Sequence, residues 1–99
     1  MIDWKRIQGF QWDGGNLRKN LNKHEMTQAE AEQIFFNSPL LVLEDAAHSI
    51  DEQRFHALGS TDDARTLHIT FTLRRGGQLI RVISARNMHR KERRIHEQA

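Results

Sequence analysis

The chain has no cysteine and no tyrosine among its 99 residues, a single proline, and no long apolar run. Without thiols it forms neither disulfides nor thiolate metal sites. No apolar stretch nears the roughly 18 residues of a membrane span, and no signal-peptide pattern opens the chain. A cytoplasmic protein without membrane contact is therefore the expectation. Metal-ligating spacing is also lacking: the six histidines include no HExxH pattern. The acids Glu44, Asp45, Asp51 and Glu52 sit in one local cluster. Metal-dependent hydrolysis finds little support in this, and neither a metal nor another cofactor is expected. What is present is charge of both signs, with Lys plus Arg 15 against Asp plus Glu 13 and a formal net charge of +2. The bases gather toward the two ends and the acids toward the middle, which suits an anionic partner.

The length suits one domain with a modest core. Residues 1–9 mix apolar and charged side chains without period and read as an appendage; residues 10–99 read as the domain. Phe10 to Asp13 reads as a short strand, with Asp13 as an N-cap for a helix over Asn16 to His24, where Leu17 and Leu21 make a thin apolar stripe. Thr27 and Glu30 have the spacing of a capping box and start a second helix running to about Asn37, with Ala31, Ile34 and Phe35 on its buried side. Pro39 ends it. LLVLED follows, apolar on both faces and expected in the sheet interior. Asp45 to Gln53 is an acidic loop, and Arg54 to Ser60 is a strand whose core-facing set the sequence leaves open.

Thr66 to Arg74 alternates strictly, Leu67, Ile69, Phe71 and Leu73 against Thr66, His68, Thr70, Thr72 and Arg74. Such a strand packs one face and leaves the other polar, so helices are expected on one side of the sheet only. Gly76 and Gly77 predict a tight hairpin in which Leu73 faces Ile80, Thr72 faces Arg81, Phe71 faces Val82 and His68 faces Ala85. That register puts Arg81 on the polar face and gives Arg86 the opposite parity, so Arg86 joins the same site only through a twist, a bulge or a long reach. A basic helix follows from about Met88, carrying Arg90, Lys91, Arg93 and Arg94 in its first two turns. Cations there oppose the helix dipole and call for a nearby anion. Runs of helices followed by runs of strands make the class α+β: two N-terminal helices on one face of an antiparallel sheet of four to five strands, then the basic helix.

Several arginines and histidines without an acid cluster suit phosphate chemistry. Arginine binds phosphate bidentately and stays charged, so it holds the charge that develops on five-coordinate phosphorus. RNA supplies its own nucleophile, the 2′-hydroxyl, and asks of a protein only proton carriers and cations.

One family is similar in the order and spacing of its motifs. Trp12-Asp13, Asn20, Lys23-His24, Ala31, Phe35-Phe36 and Pro39 come first, then Arg54-Phe55 and Leu58-Gly59. Arg81, Ile83-Ser84-Ala85-Arg86 and Glu92-Arg93 follow. In these the chain resembles, from about Phe10 to Gln98, the BrnT toxins of type II toxin-antitoxin pairs, small ribonucleases of RelE-like fold. It departs from them at Glu25, where glycine is common, and at His96, where tyrosine is common; His96 then either substitutes for that tyrosine or marks a structural position.

The resemblance implies a metal-independent endoribonuclease that inhibits translation. Arg81 and Arg86 would hold the scissile phosphate, Arg54 would support it, and His24 or His68 would move a proton. Lys23, Arg74, Arg90, Lys91 and Arg94 would seat the RNA backbone. It also implies a BrnA-like antitoxin of ribbon-helix-helix type, a heterotetramer with it, and promoter DNA contact through the antitoxin alone. The rival reading is a non-catalytic module whose basic face binds nucleic acid or protein, since no two groups in the sequence declare themselves acid and base.

Overall fold

The computed structural model describes residues 2–12, 18 and 21–99. The Asp13 cap and most of the helix expected over Asn16 to His24 lie outside the described residues, although residues 21–23 are helical. Five strands form one sheet: β1 (Gly9–Trp12), β2 (Leu41–Glu44), β3 (Arg54–Ser60), β4 (Thr66–Arg74) and β5 (Leu79–Asn87), in the spatial order β1-β5-β4-β3-β2. Helix α1 (Gln28–Gln33) precedes β2, and α2 (Arg90–Glu97) follows β5.

The strands from β2 to β5 make an antiparallel meander, but β1 lies parallel to β5. The sheet is thus mixed, which corrects the antiparallel expectation. Consecutive strands joined by short turns must run antiparallel, whereas β1 has no hairpin to any neighbour. Its place is set by packing, with Phe10 5.6 Å from Phe35, ring centre to ring centre. A second correction concerns β2, which forms the sheet edge and leaves Leu43 61% exposed. A run apolar on both faces does not specify an interior strand when one of its sides is only partly covered.

Helix α1 starts as expected, with Thr27 Oγ1 accepting from the Glu30 N–H at 3.1 Å and Glu30 accepting from the Thr27 N–H at 3.0 Å. It ends sooner, because Ile34–Phe36 tightens into a 3-10 turn. This turn and α1 press Ala31, Ile34 and Phe35 onto the apolar face of the sheet. Phe55, Ala57, Leu67, Ile69, Phe71, Ile80, Val82 and Ala85 line that face, joined by Leu21 and Met26. On β3, then, Phe55 and Ala57 point to the core. Residues 2–8 pack along the same side, through Ile2, Ile7 and a Trp4–Phe35 ring contact at 6.2 Å.

The hairpin register holds from Arg74 to Phe71, with Arg74 to Leu79 the last ladder pair and residues 75–78 forming the turn. Past Phe71 it shifts. Phe71 pairs Val82 but Thr70 pairs Ser84, so Ile83 has no residue opposite it, and His68 faces Arg86 where the unbroken register predicts Ala85. This is a β-bulge, and its one extra residue reverses the parity of everything beyond it.

A further correction is that helices do not stay on one side. Helix α2 crosses one end of the polar face: Glu92 bonds Arg86 on β5, and His96 bonds the Pro39 carbonyl just before β2 at 2.8 Å. His96 is the buried residue of this helix, while Ile95 is 44% exposed. The helix begins at Arg90 behind an N-cap at His89, and Met88 is buried ahead of it.

Candidate active site on the polar face of the sheet

On the polar side the registers lay the side chains out in rows across β5, β4 and β3. Arg81, Thr72 and Arg54 form one row; Ser84, Thr70 and His56 the next; Arg86, His68 and Leu58 the third. The bulge at Ile83 is what brings Arg86 into the last row. Three arginines therefore border two histidines, whose rings lie 4.9 Å apart at 37°.

Two carboxylates hold this arrangement from opposite ends. Glu92, in the first turn of α2, takes both amino groups of Arg86, at 2.7 and 2.9 Å, and accepts from the His89 N–H at 2.9 Å. It also lies 3.8 Å from His68 Nε2. The hydrogen bonds from Arg86, acting against burial, together with the one from His89, bring the Glu92 pKa down to about 2. It is thus the anion that the basic first turns of α2 call for. Asp45, just after β2, accepts from His48 Nδ1 and His56 Nε2, both at 2.9 Å. Burial pushes its carboxyl upward, and the two histidine bonds outweigh this and hold it below the ordinary value.

His68 is buried, and its pKa is brought down to about 4 by that burial first and by Arg86 and His56 next, with Glu92 opposing. At neutral pH it is an uncharged imidazole. Its Nε2 lies toward the Glu92 carboxylate, and its other ring nitrogen is Nδ1. That nitrogen is buried without a hydrogen-bond partner, and so are Arg54 Nε and Arg74 Nε. Unpaired buried polar atoms cost stability, and all three lie along this one face. Thr72 is already satisfied, donating to the Gln53 carbonyl at 2.6 Å.

Of the residues singled out in the sequence, Arg54, His68, Arg81 and Arg86 meet on this face, with Arg74 at its end, 3.2 Å from Glu52. Arg90, Lys91 and Arg94 are exposed on α2. His24 and Lys23 belong to the other layer. Their neighbours Leu21 and Met26 are in the core, and Arg65 ties the turn down by donating to the backbone carbonyls of His24 and Glu25. Glu25 adopts a φ of 52° there, the left-handed conformation that glycine takes most readily. At His96 the ring is spent on a backbone carbonyl, a structural use of the position.

Sequence reasoning missed His56, Asp45 and Glu92 as members of this face. His56 shares the parity of Arg54 on β3, and that signal was available. Asp45 and Glu92 arrive from a loop and a helix whose placement no local pattern gives. Among the described residues, no group of three or more His, Asp or Glu side chains is arranged to hold a metal ion.

Comparison with known proteins bears on the family and the fold. A family model described as the ribonuclease toxin BrnT of type II toxin-antitoxin systems matches residues 12–92, a span that contains every residue of the three rows. The crystal structure of the Brucella abortus ribonuclease toxin BrnT superposes with a TM-score of 0.62 at 21% identity, over 85% of this chain and 100% of that one. At that identity the likeness is one of fold. Among curated proteins none matches the chain.

Proposed function

Because the chain belongs to the BrnT family of ribonuclease toxins from type II toxin-antitoxin systems, we propose that it is a metal-independent endoribonuclease working on the polar face of its sheet. The observation that carries this reading is the bidentate grip of Arg86 on Glu92 beside a neutral, buried His68. A carboxylate held by two parallel N–H bonds occupies the geometry in which arginine receives a phosphate.

In this mechanism the scissile phosphate takes the Glu92 position on Arg86, with Arg81 and Arg54 at the other side of the histidine pair. The RNA 2′-hydroxyl gives its proton to the His68 imidazole and attacks phosphorus. The arginines stabilise the charge that accumulates on the phosphoryl oxygens, and the P–O5′ bond breaks to leave a 2′,3′-cyclic phosphate and a 5′-hydroxyl. His68 suits the first step because it is unprotonated at neutral pH. His24, on the other layer, takes no part in it. Arg74, Arg90, Lys91 and Arg94 seat flanking phosphates, and Lys23 is left to more distant RNA. Cleaving mRNA in this way inhibits translation in the cytoplasm. The cognate antitoxin, of ribbon-helix-helix type and in a heterotetramer with the toxin, covers the cationic face and alone touches promoter DNA.

Incubation with RNA in EDTA, beside an Arg81→Ala, Arg86→Ala double variant, tests this. The wild type alone should cut, leaving 5′-hydroxyl ends. Intact RNA with retained binding would replace the reading with a non-catalytic module, and cleavage that EDTA abolishes would remove its metal-independence.

A further inference from the structure

His68 accounts for one of the two protons that RNA cleavage moves, and the departing 5′-oxygen still needs a donor. The neighbouring row holds one. His56 stands between the Arg81 row and the Arg86 row, with its ring against that of His68. Its Nε2 is fixed by Asp45 at 2.9 Å, and its Nδ1 faces the Thr70 hydroxyl at 3.0 Å. The His56 side chain is 33% exposed, against 11% for His68 and 13% for Asp45, so His56 is the more open imidazole of the pair. The carboxylate of the Asp45–His56 pair is the more buried partner, as it must be to hold the ring in one orientation.

We propose that His56 is a further catalytic residue, the general acid for the departing 5′-oxygen, with Asp45 as its positioning residue. The assignment rests on the ribonuclease reading above. The leaving oxygen replaces the Thr70 hydroxyl on Nδ1. The 2′-oxygen forms its bond to phosphorus as its proton passes to His68, the P–O5′ bond breaks, and the electron pair left on O5′ takes the Nδ1 proton of His56. Both histidines then return to their starting states by exchange with water. Two adjacent imidazoles in unlike surroundings, one buried against arginine and one paired with a carboxylate, divide the roles of base and acid.

A purely structural network, in which Asp45 and His56 serve only to satisfy Thr70, makes a different prediction. The discriminating probe is an RNA whose scissile 5′-oxygen is replaced by sulfur, because a thiolate leaves without being protonated. His56→Ala and His56→Gln should cut ordinary RNA at least about 100-fold more slowly than the wild type and cut the 5′-thio substrate at nearly the wild-type rate. Asp45→Asn should show a smaller defect with the same recovery. Equal losses on both substrates in both His56 variants would overturn the assignment while leaving the ribonuclease standing. A wild type that cuts neither substrate would remove both.

Discussion

His68 ties the chemistry of the site to the stability of the fold. Its native pKa of about 4 lies below the ordinary 6.5. Between those values the unfolded chain binds a proton that the native state refuses, so stability rises with pH across that window. The contribution is complete above the ordinary value and is lost as pH falls through the native one. Glu92, with its pKa lowered from 4.5 to about 2, adds stability that is lost only at still lower pH. Urea unfolding at pH 5 and pH 7 should therefore show the wild type less stable at pH 5. The full loss from His68 on reaching low pH is on the order of 3 kcal/mol, and His68→Gln should flatten the difference. An unchanged difference in that variant would place the sensitivity elsewhere.

At the scale of elements, most of the sheet was legible and its exceptions were not. The alternation of Thr66–Arg74, the Thr27 capping box and the hairpin register through Phe71 all follow from local periodicity and turn chemistry. The bulge at Ile83 does not, because Val82-Ile83-Ser84 contains no glycine to mark it and each residue suits an ordinary strand. Yet that bulge decides whether Arg86 reaches the site. The direction of β1 and the path of α2 escaped for a related reason, since both depend on tertiary packing. The layers approach closely at Gly59 on β3, where an added Cβ would lie 2.9 Å from Ile34 Cβ in the 3-10 turn. That turn is packed against β3 and has little room to yield. Gly59→Ala should cost about 1–3 kcal/mol by overpacking, read as a lower urea midpoint. A variant as stable as the wild type would show that the two layers separate easily.

The whole molecule has two unlike sides. On one, residues 2–8 and the segment around residues 34–40 border an open pocket of about 710 Å³ lined by Trp4, Phe10, Phe35 and Phe36 together with Gln8 and Asn37. On the other lie the arginine and histidine rows, with α2 across one end of them. No helix among the described residues is long and apolar enough to cross a membrane. The sequence showed a polar face with His68 and Arg81 on it, but the assembled site needed the bulge, the crossing helix and the Asp45 loop to be seen together. In the proposed mechanism RNA binds on this side by taking Arg86 from Glu92. The most direct measurement is an NMR titration of side-chain-labelled protein with a 2′-O-methyl RNA, which binds without offering a nucleophile. Shifts at the guanidinium and imidazole groups of Arg54, His56, His68, Arg81 and Arg86, with the Arg86–Glu92 pair broken, are the predicted result. Shifts centred on His24 or on the Trp4 and Phe36 side, with Arg86 and His68 unmoved, would contradict it.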